Sequence, residues 1–113
     1  MAQTAQDAVE AWLERLDEAD YQQTWQDSAP MFQAQISPEK WREAASAARA
    51  SLGDVTSRKL MVATYRSELP DVPKGDYLIF KYQTQFTQRS NVIETITPVL
   101  VEGRWRISGY FVQ

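Results

Sequence analysis

The sequence predicts an α+β fold in which about three N-terminal helices pack on one face of a four-stranded antiparallel meander sheet. Apolar residues recur at helical spacing over residues 4–53, whereas residues 55–113 divide into four β-rich runs separated by turn signals. The 113 residues have the length of one ordinary domain, so we expect a single domain over residues 1–113.

Three apolar stripes predict the helices. The first, over residues 9–16, follows the i, i+3, i+4, i+7 spacing of one helical face. The second, over residues 21–32, meets Pro30, which should end or kink the helix. The third occupies residues 37–53, where a Ser-Pro pair is typical of a helix start and Gly53 of a helix end.

The β-rich runs predict four strands, whose register assigns a face to each side chain. The predicted strands are residues 55–67, 77–86, 92–101 and 104–113, with loops over 70–75 and 87–91 and a two-residue turn at 102–103. One register places the apolar residues of the last three strands on a single face, which favours it. Pro98 cannot donate to the ladder, and a bulge there would turn Glu94 to the other face. The register predicts Ile96 opposite Gly109, Glu94 opposite Phe111, Thr84 opposite Glu94, and Tyr82 opposite Ile96.

Glu94 is the one charged residue that this register places on the apolar face. Arg58, in the first strand, should lie near Thr84 or Phe86, so Glu94, Arg58, Thr84 and Tyr82 form a predicted ligand-binding cluster. Two interpretations follow. Burial raises the pKa of a carboxyl group and suits a general base, whereas a neighbouring arginine lowers it and suits a structural ion pair. The structural interpretation is favoured. Trp25 is a further ligand-binding candidate, although its spacing favours a core position.

Composition excludes several classes of chemistry. The chain has no cysteine and no histidine, so it has no thiolate nucleophile, no Cys/His zinc site and no Ser-His-Asp triad. Seven acidic residues and one arginine lie in residues 1–36, which argues against a nucleic-acid partner. No apolar run approaches the roughly 20 residues of a membrane span. We predict neither a cofactor nor a metal site.

The opposite sheet face is the predicted contact for a partner. Arg104, Arg106, Ser108 and Tyr110 should lie there, and the face is mixed because apolar residues share it. Such a surface suits a homodimer or a protein partner, and an ordinary sheet exterior is the alternative. The apolar residues assigned to it are Ile93, Val99, Val101 and Val112.

Short segments along nearly the whole chain together resemble a known family. They are Trp12-Leu13, Tyr21, Trp25, Trp41, Leu52-Gly53, Ser57-Arg58, Leu69-Pro70, Gly75-Asp76-Tyr77, Tyr82, Thr84, Phe86, Glu94-Thr95, Gly103-Arg104-Trp105-Arg106 and Gly109-Tyr110-Phe111. The chain is similar in these segments to domain-of-unknown-function family 4019. The resemblance implies a bacterial protein with a cone-like α+β shape of the nuclear-transport-factor-2 or cystatin type. Members commonly carry an export signal, which implies a periplasmic or secreted protein. This chain begins without one, which would otherwise indicate a cytoplasmic protein.

The resemblance supplies no activity or catalytic residues, so function rests on the cluster. We expect a non-enzymatic binding or protein-interaction module of the cell envelope, with a small ligand or a protein as partner. The alternative is a cone-fold enzyme, an isomerase or hydrolase with Glu94 as general base and Tyr82 or Tyr110 as hydrogen-bond donor. That enzyme needs an unpaired Glu94 in an open pocket, whereas the binding module has Glu94 tied to Arg58.

Overall fold

A computed structural model describes residues 2–113; Met1, the first residue of the predicted domain, lies outside them. Helices occupy the first half of the chain and an antiparallel sheet the second, which confirms the predicted α+β class. The elements are α1 (Ala2–Asp17), α2 (Tyr21–Gln26), α3 (Pro30–Gln35), α4 (Pro38–Leu52), β1 (Val55–Arg66), β2 (Tyr77–Phe86), β3 (Arg89–Val101) and β4 (Arg104–Val112).

The described residues contain four helices where the apolar stripes predict about three. The second stripe is divided because α2 ends at Gln26 and Pro30 begins α3, a position that suits a residue with no N–H to donate. Helix α4, which the third apolar stripe predicts, begins and ends where the sequence indicates. The Ser37 hydroxyl accepts a hydrogen bond from the Lys40 N–H, and Gly53 follows the last turn with a φ of 85°.

The four strands pair in the order β1-β2-β3-β4. Arg58 lies opposite Thr84, which is one of the two positions predicted for it. Between β2 and β3 the predicted pairs are wrong by two residues, because Tyr82 lies opposite Glu94 and Thr84 opposite Val92. The hairpin turn is residues 87–88 alone, and β3 therefore begins at Arg89. A shift of two residues keeps every side chain on its face, so Glu94 remains on the face that the helices cover.

A bulge in β4 changes which residues accompany Glu94. The predicted pairing holds from Val101 to Pro98 and then shifts, so that Glu94 lies opposite Val112 and Ile96 opposite Tyr110. The ladder is irregular at Pro98, which has no N–H, and β4 accommodates an extra residue there. The bulge therefore leaves Glu94 on its predicted face. It moves the β4 residues that follow the bulge to the face opposite the predicted one.

We call the helix-covered side of the sheet the inner face. The reversal brings Tyr110 and Val112 to the inner face, so their predicted position on the outer face is wrong. It turns Phe111 outward, where 57% of the residue is exposed. The outer face thus has a large exposed aromatic side chain, and the homodimer contact on this face stays a prediction.

The main core lies between the inner face and the helices. Three tryptophans are held by hydrogen bonds from their ring nitrogens: Trp12 to the Thr24 carbonyl at 2.9 Å, Trp41 to the Thr24 hydroxyl at 2.9 Å, and Trp25 to the Ile36 carbonyl at 2.8 Å. The buried residues around them include Val9, Leu13, Leu16, Phe80, Tyr82, Ile96 and Ile107. Over residues 2–113, no helix is both long enough and apolar enough to cross a membrane.

Candidate functional site

Glu94 is fully buried, and both of its carboxylate oxygens accept hydrogen bonds. The Arg58 Nε donates to Oε1 at 2.8 Å and the Arg58 Nη2 donates to Oε2 at 3.3 Å. The Thr84 hydroxyl donates to Oε1 at 2.6 Å, and the Tyr110 hydroxyl donates to Oε2. These hydrogen bonds, one set from a cation and two from hydroxyl groups, replace the hydrogen bonds to water that the carboxylate loses on burial.

The ion pair extends from Glu94 to both helices that flank it. The other side of the Arg58 guanidinium donates to Asp17 at the end of α1, at 2.8 Å and 3.1 Å. Asp17 also accepts from Arg49 of α4 at 2.7 Å. We call Glu94, Arg58, Asp17 and Arg49 the charge chain. It joins α1, α4, β1 and β3 through alternating charges.

The charges in this chain stabilise one another. Burial would raise the pKa of Asp17, but the hydrogen bonds and charges of Arg58 and Arg49 outweigh it and hold the pKa below its usual value. Burial would likewise lower the pKa of Arg58, and the two carboxylates outweigh it and raise the pKa. Burial and the negative charge of Glu94 raise the pKa of Tyr110, so its hydroxyl stays a neutral donor.

Arg49 is the one member with unsatisfied donors. Its side chain is 10% exposed, and its Nε and Nη1 have no hydrogen-bond partner among residues 2–113. The guanidinium lies over the Phe86 ring, 5.1 Å from the centroid, where the negative face of the ring attracts the cation. The arginine is therefore held by one carboxylate and one aromatic ring.

A groove of about 380 Å³ opens beside the charge chain, between α1 and β1. We call it the acidic groove. Leu60 is its partly exposed apolar residue, Leu13 and Tyr82 lie almost fully buried beneath it, and the Tyr82 hydroxyl donates to Glu10 at 3.1 Å. Its lining residues are Gln6, Glu10, Leu13, Glu14, Asp17, Arg58, Leu60 and Tyr82.

The structure brings together only part of the predicted cluster. Arg58 and Thr84 contact Glu94, and Tyr110 joins them from the reversed end of β4. Tyr82 lies opposite Glu94 in the sheet, but its hydroxyl bonds Glu10 instead. Trp25 lies in the core beside α3, with its ring nitrogen on a backbone carbonyl. No hydrogen bond joins Trp25 to Glu94 within the part of the chain that is described.

Asp17, Arg49 and Glu10 are the residues that strand register could not reveal. Asp17 lies one residue after Leu16 and four after Leu13, at the border of the apolar stripe of α1. That position is the only sequence signal for it, because acidic residues are common on the solvated side of a helix. No sequence pattern connects Arg49 or Glu10 to Glu94.

A family model described as "Protein of unknown function (DUF4019)" matches residues 8–110. The chain belongs to this family. The matched range includes every member of the charge chain and the Thr84 and Tyr110 side chains that donate hydrogen bonds to Glu94. No curated protein matches the chain.

Membership of DUF4019 assigns no activity or ligand, so the positions of the side chains are the basis for inferring which ligands the protein could bind. Within residues 2–113, no three acidic side chains converge in a way that could hold a metal ion. Glu94 has all its hydrogen-bonding capacity directed into the protein. The acidic groove, by contrast, has carboxylates at its surface and room for a small molecule.

Proposed function

We propose that this DUF4019 protein is a non-enzymatic binding module of the cell envelope, and that the acidic groove holds a small, positively charged ligand. The observation that supports this most directly is the charge of the lining. Glu10, Glu14 and Asp17 surround the groove, and its one cation, Arg58, is neutralised by Asp17 and the buried Glu94. The groove therefore has an excess of negative charge.

The spacing of Glu10 and Glu14 supports the same conclusion. They are four residues apart on α1, so they share one side of the helix, and like charges at this spacing destabilise a helix by about 0.2–0.5 kcal/mol. Glu10 is oriented by the Gln6 amide at 2.9 Å and by the Tyr82 hydroxyl. A cation between the two carboxylates would relieve their repulsion.

The size and the floor of the groove narrow the class of ligand. A volume of about 380 Å³ is at the lower end for pockets that hold small molecules. The partly exposed Leu60 side chain offers an apolar contact to methylene groups. An alkylammonium group, either on a free amine or on a lysine side chain, combines the charge and the apolar stem that this lining favours.

The state of Glu94 supports a binding role over the enzymatic alternative. A general base must come within hydrogen-bond reach of a proton on the substrate. Glu94 is 0% exposed, and its two oxygens already accept four hydrogen bonds from Arg58, Thr84 and Tyr110. The envelope location is supported by the family resemblance alone and is tested by fractionation of cells that express the native gene.

Isothermal titration calorimetry with 1,5-diaminopentane at low salt tests the proposal. The double variant Glu10→Gln/Glu14→Gln should weaken binding at least tenfold, because it removes two charges from the groove. The matched control is Glu39→Gln/Glu43→Gln, which removes two exposed acidic residues at the same spacing on α4. The control should retain the affinity. Absence of binding, or an equal loss in both double variants, would refute the proposal.

A further inference from the structure

A second cavity, of about 300 Å³, lies on the opposite flank of α1. Ala8, Ala11, Trp12 and Arg15 recur at the spacing of one helix side, which is turned away from the side that forms the acidic groove. The edge strand β4, whose Ile107 carbonyl accepts a hydrogen bond from the Ala29 N–H, and part of α2 close it. We call this cavity the arginine pocket, and its remaining lining residues are Gln23, Asp27, Arg104, Trp105, Arg106 and Ile107.

The arginine pocket is positively charged in a chain whose net charge is −3. Three arginines line it, against the single carboxylate of Asp27. Arg104 and Arg106 form no ion pair within residues 2–113. Arg15 is 3.7 Å from Asp27, and both side chains are nearly half exposed, so this pair is weak.

Part of the pocket wall is apolar, and its accessible apolar surface belongs to Ala8, Ala11 and Trp105. Trp12 is almost fully buried, and Trp105 is half-buried on the inner face beside it. Ala8 and Ala11 have small side chains, which leaves room against the helix. Guanidinium groups bind carboxylates and phosphates through paired N–H donors, and the partly exposed Trp105 indole offers an apolar surface to the body of a ligand.

We propose that the arginine pocket binds a small organic anion, a carboxylate or phosphate group attached to an apolar or aromatic body. The anionic group is recognised by the free guanidinium groups of Arg104 and Arg106, together with Arg15. The body lies against the alanine and tryptophan walls. This site is separate from the acidic groove and takes a ligand of opposite charge, so neither proposal depends on the other.

A substitution at Asp27 tests whether the arginine pocket prefers an anion or a cation. Its carboxylate repels an anion and holds Arg15, so Asp27→Asn should strengthen anion binding about two- to fivefold. The substitution retains an oxygen that can accept the hydrogen bond from the Gln23 amide, now at 3.0 Å. A site for a cation would respond in the opposite direction.

Titrations followed by amide chemical shifts and by calorimetry test the assignment with benzoate, phenyl phosphate and neutral benzamide. At least one anion should bind with shifts at residues of the pocket, and benzamide should bind at least tenfold more weakly. The two anions distinguish carboxylate from phosphate recognition. Arg104→Gln/Arg106→Gln should weaken anion binding at least tenfold.

The matched control is Arg42→Gln/Arg89→Gln, which removes two exposed arginines outside the pocket lining. The control should leave the affinity unchanged, and the thermal midpoint of each variant verifies folding. Three results would each overturn the proposal: neither anion binds, the control loses as much affinity as the pocket variant, or Asp27→Asn weakens binding. If Arg104→Gln/Arg106→Gln fails to fold, the direction of the Asp27→Asn effect decides.

Discussion

Arg58→Met removes the one cation that hydrogen-bonds Glu94 while retaining an unbranched apolar side chain. Glu94 loses hydrogen bonds of 2.8 Å and 3.3 Å and keeps those from Thr84 and Tyr110. Asp17 keeps its bond to Arg49. The variant therefore has a buried carboxylate with no positive charge in contact with it.

The magnitude follows from that isolated charge. Removing one partner of a buried ion pair costs about 3–5 kcal/mol, which is a large part of the roughly 5–15 kcal/mol that stabilises a typical domain. Glu94→Gln should cost only about 1–2 kcal/mol, because it leaves no isolated charge and Arg58 keeps its bonds to Asp17. In the double variant the charge is absent, so about 2 kcal/mol of the Arg58→Met cost should be recovered.

Urea unfolding at pH 7, followed by tryptophan fluorescence, measures these free energies for the parent protein, the two single variants and the double variant.

The reasoning is refuted if the costs of Arg58→Met and Glu94→Gln add within about 0.5 kcal/mol in the double variant. It is also refuted if Arg58→Met is no less stable than Glu94→Gln. Either result would mean that the buried carboxylate does not depend on Arg58.

Three further predictions concern other parts of the molecule. The lowered pKa of Asp17 stabilises the fold above the unfolded-state value of 3.8 and ceases to do so as pH falls through the folded-state value. Asp17→Asn should therefore flatten the loss of stability seen in acid unfolding below about pH 4. Thr24→Val should cost about 1–3 kcal/mol in urea unfolding, since it leaves the buried Trp41 N–H without an acceptor, whereas Thr24→Ser should cost less. Gly53→Ala should lower the thermal midpoint more than Gly103→Ala: both residues have positive φ, but only at Gly53 would a Cβ lie 2.1 Å from a threonine oxygen, while Gly103 faces open space. Equal midpoints for the two alanine variants would contradict this argument.

The ends of α4 can be predicted from the sequence because they depend on interactions between residues that are close in the chain. Ser37 and Gly53 mark the ends of α4 through capping and a left-handed backbone, which depend only on neighbouring residues. The start of β3 was predicted less well. The N–H groups of the turn at 87–88 donate to the carbonyls of Asp54 and of Leu52, the last residue of α4, and so tie the turn to the segment between α4 and β1. That contact joins distant parts of the chain, so turn composition alone does not reveal it.

At the candidate site, likewise, short-range patterns predict some positions, and contacts between distant residues decide the others. Period-two alternation sufficed to place Glu94 on the inner face and Arg58 near it, and a register error of two residues did not disturb either. Tyr110 was placed on the wrong face because the bulge at Pro98 forms in the partner strand, and sequence does not say which strand takes the extra residue. Trp25 shows a limit of composition, since a tryptophan in a core and one in a pocket have the same spacing.

The sequence by itself determined the α+β class, the absence of histidine and cysteine chemistry, the family and the pairing of Glu94 with Arg58. Those properties depend on residue identity and on short periodicities, and both are present in the sequence before any distant residues come into contact. Only the tertiary structure decided that Glu94 is fully compensated, that Asp17 and Arg49 extend its ion pair, and that α1 separates an acidic groove from an arginine pocket. These depend on which distant side chains meet, and packing of helices on a twisted sheet fixes that.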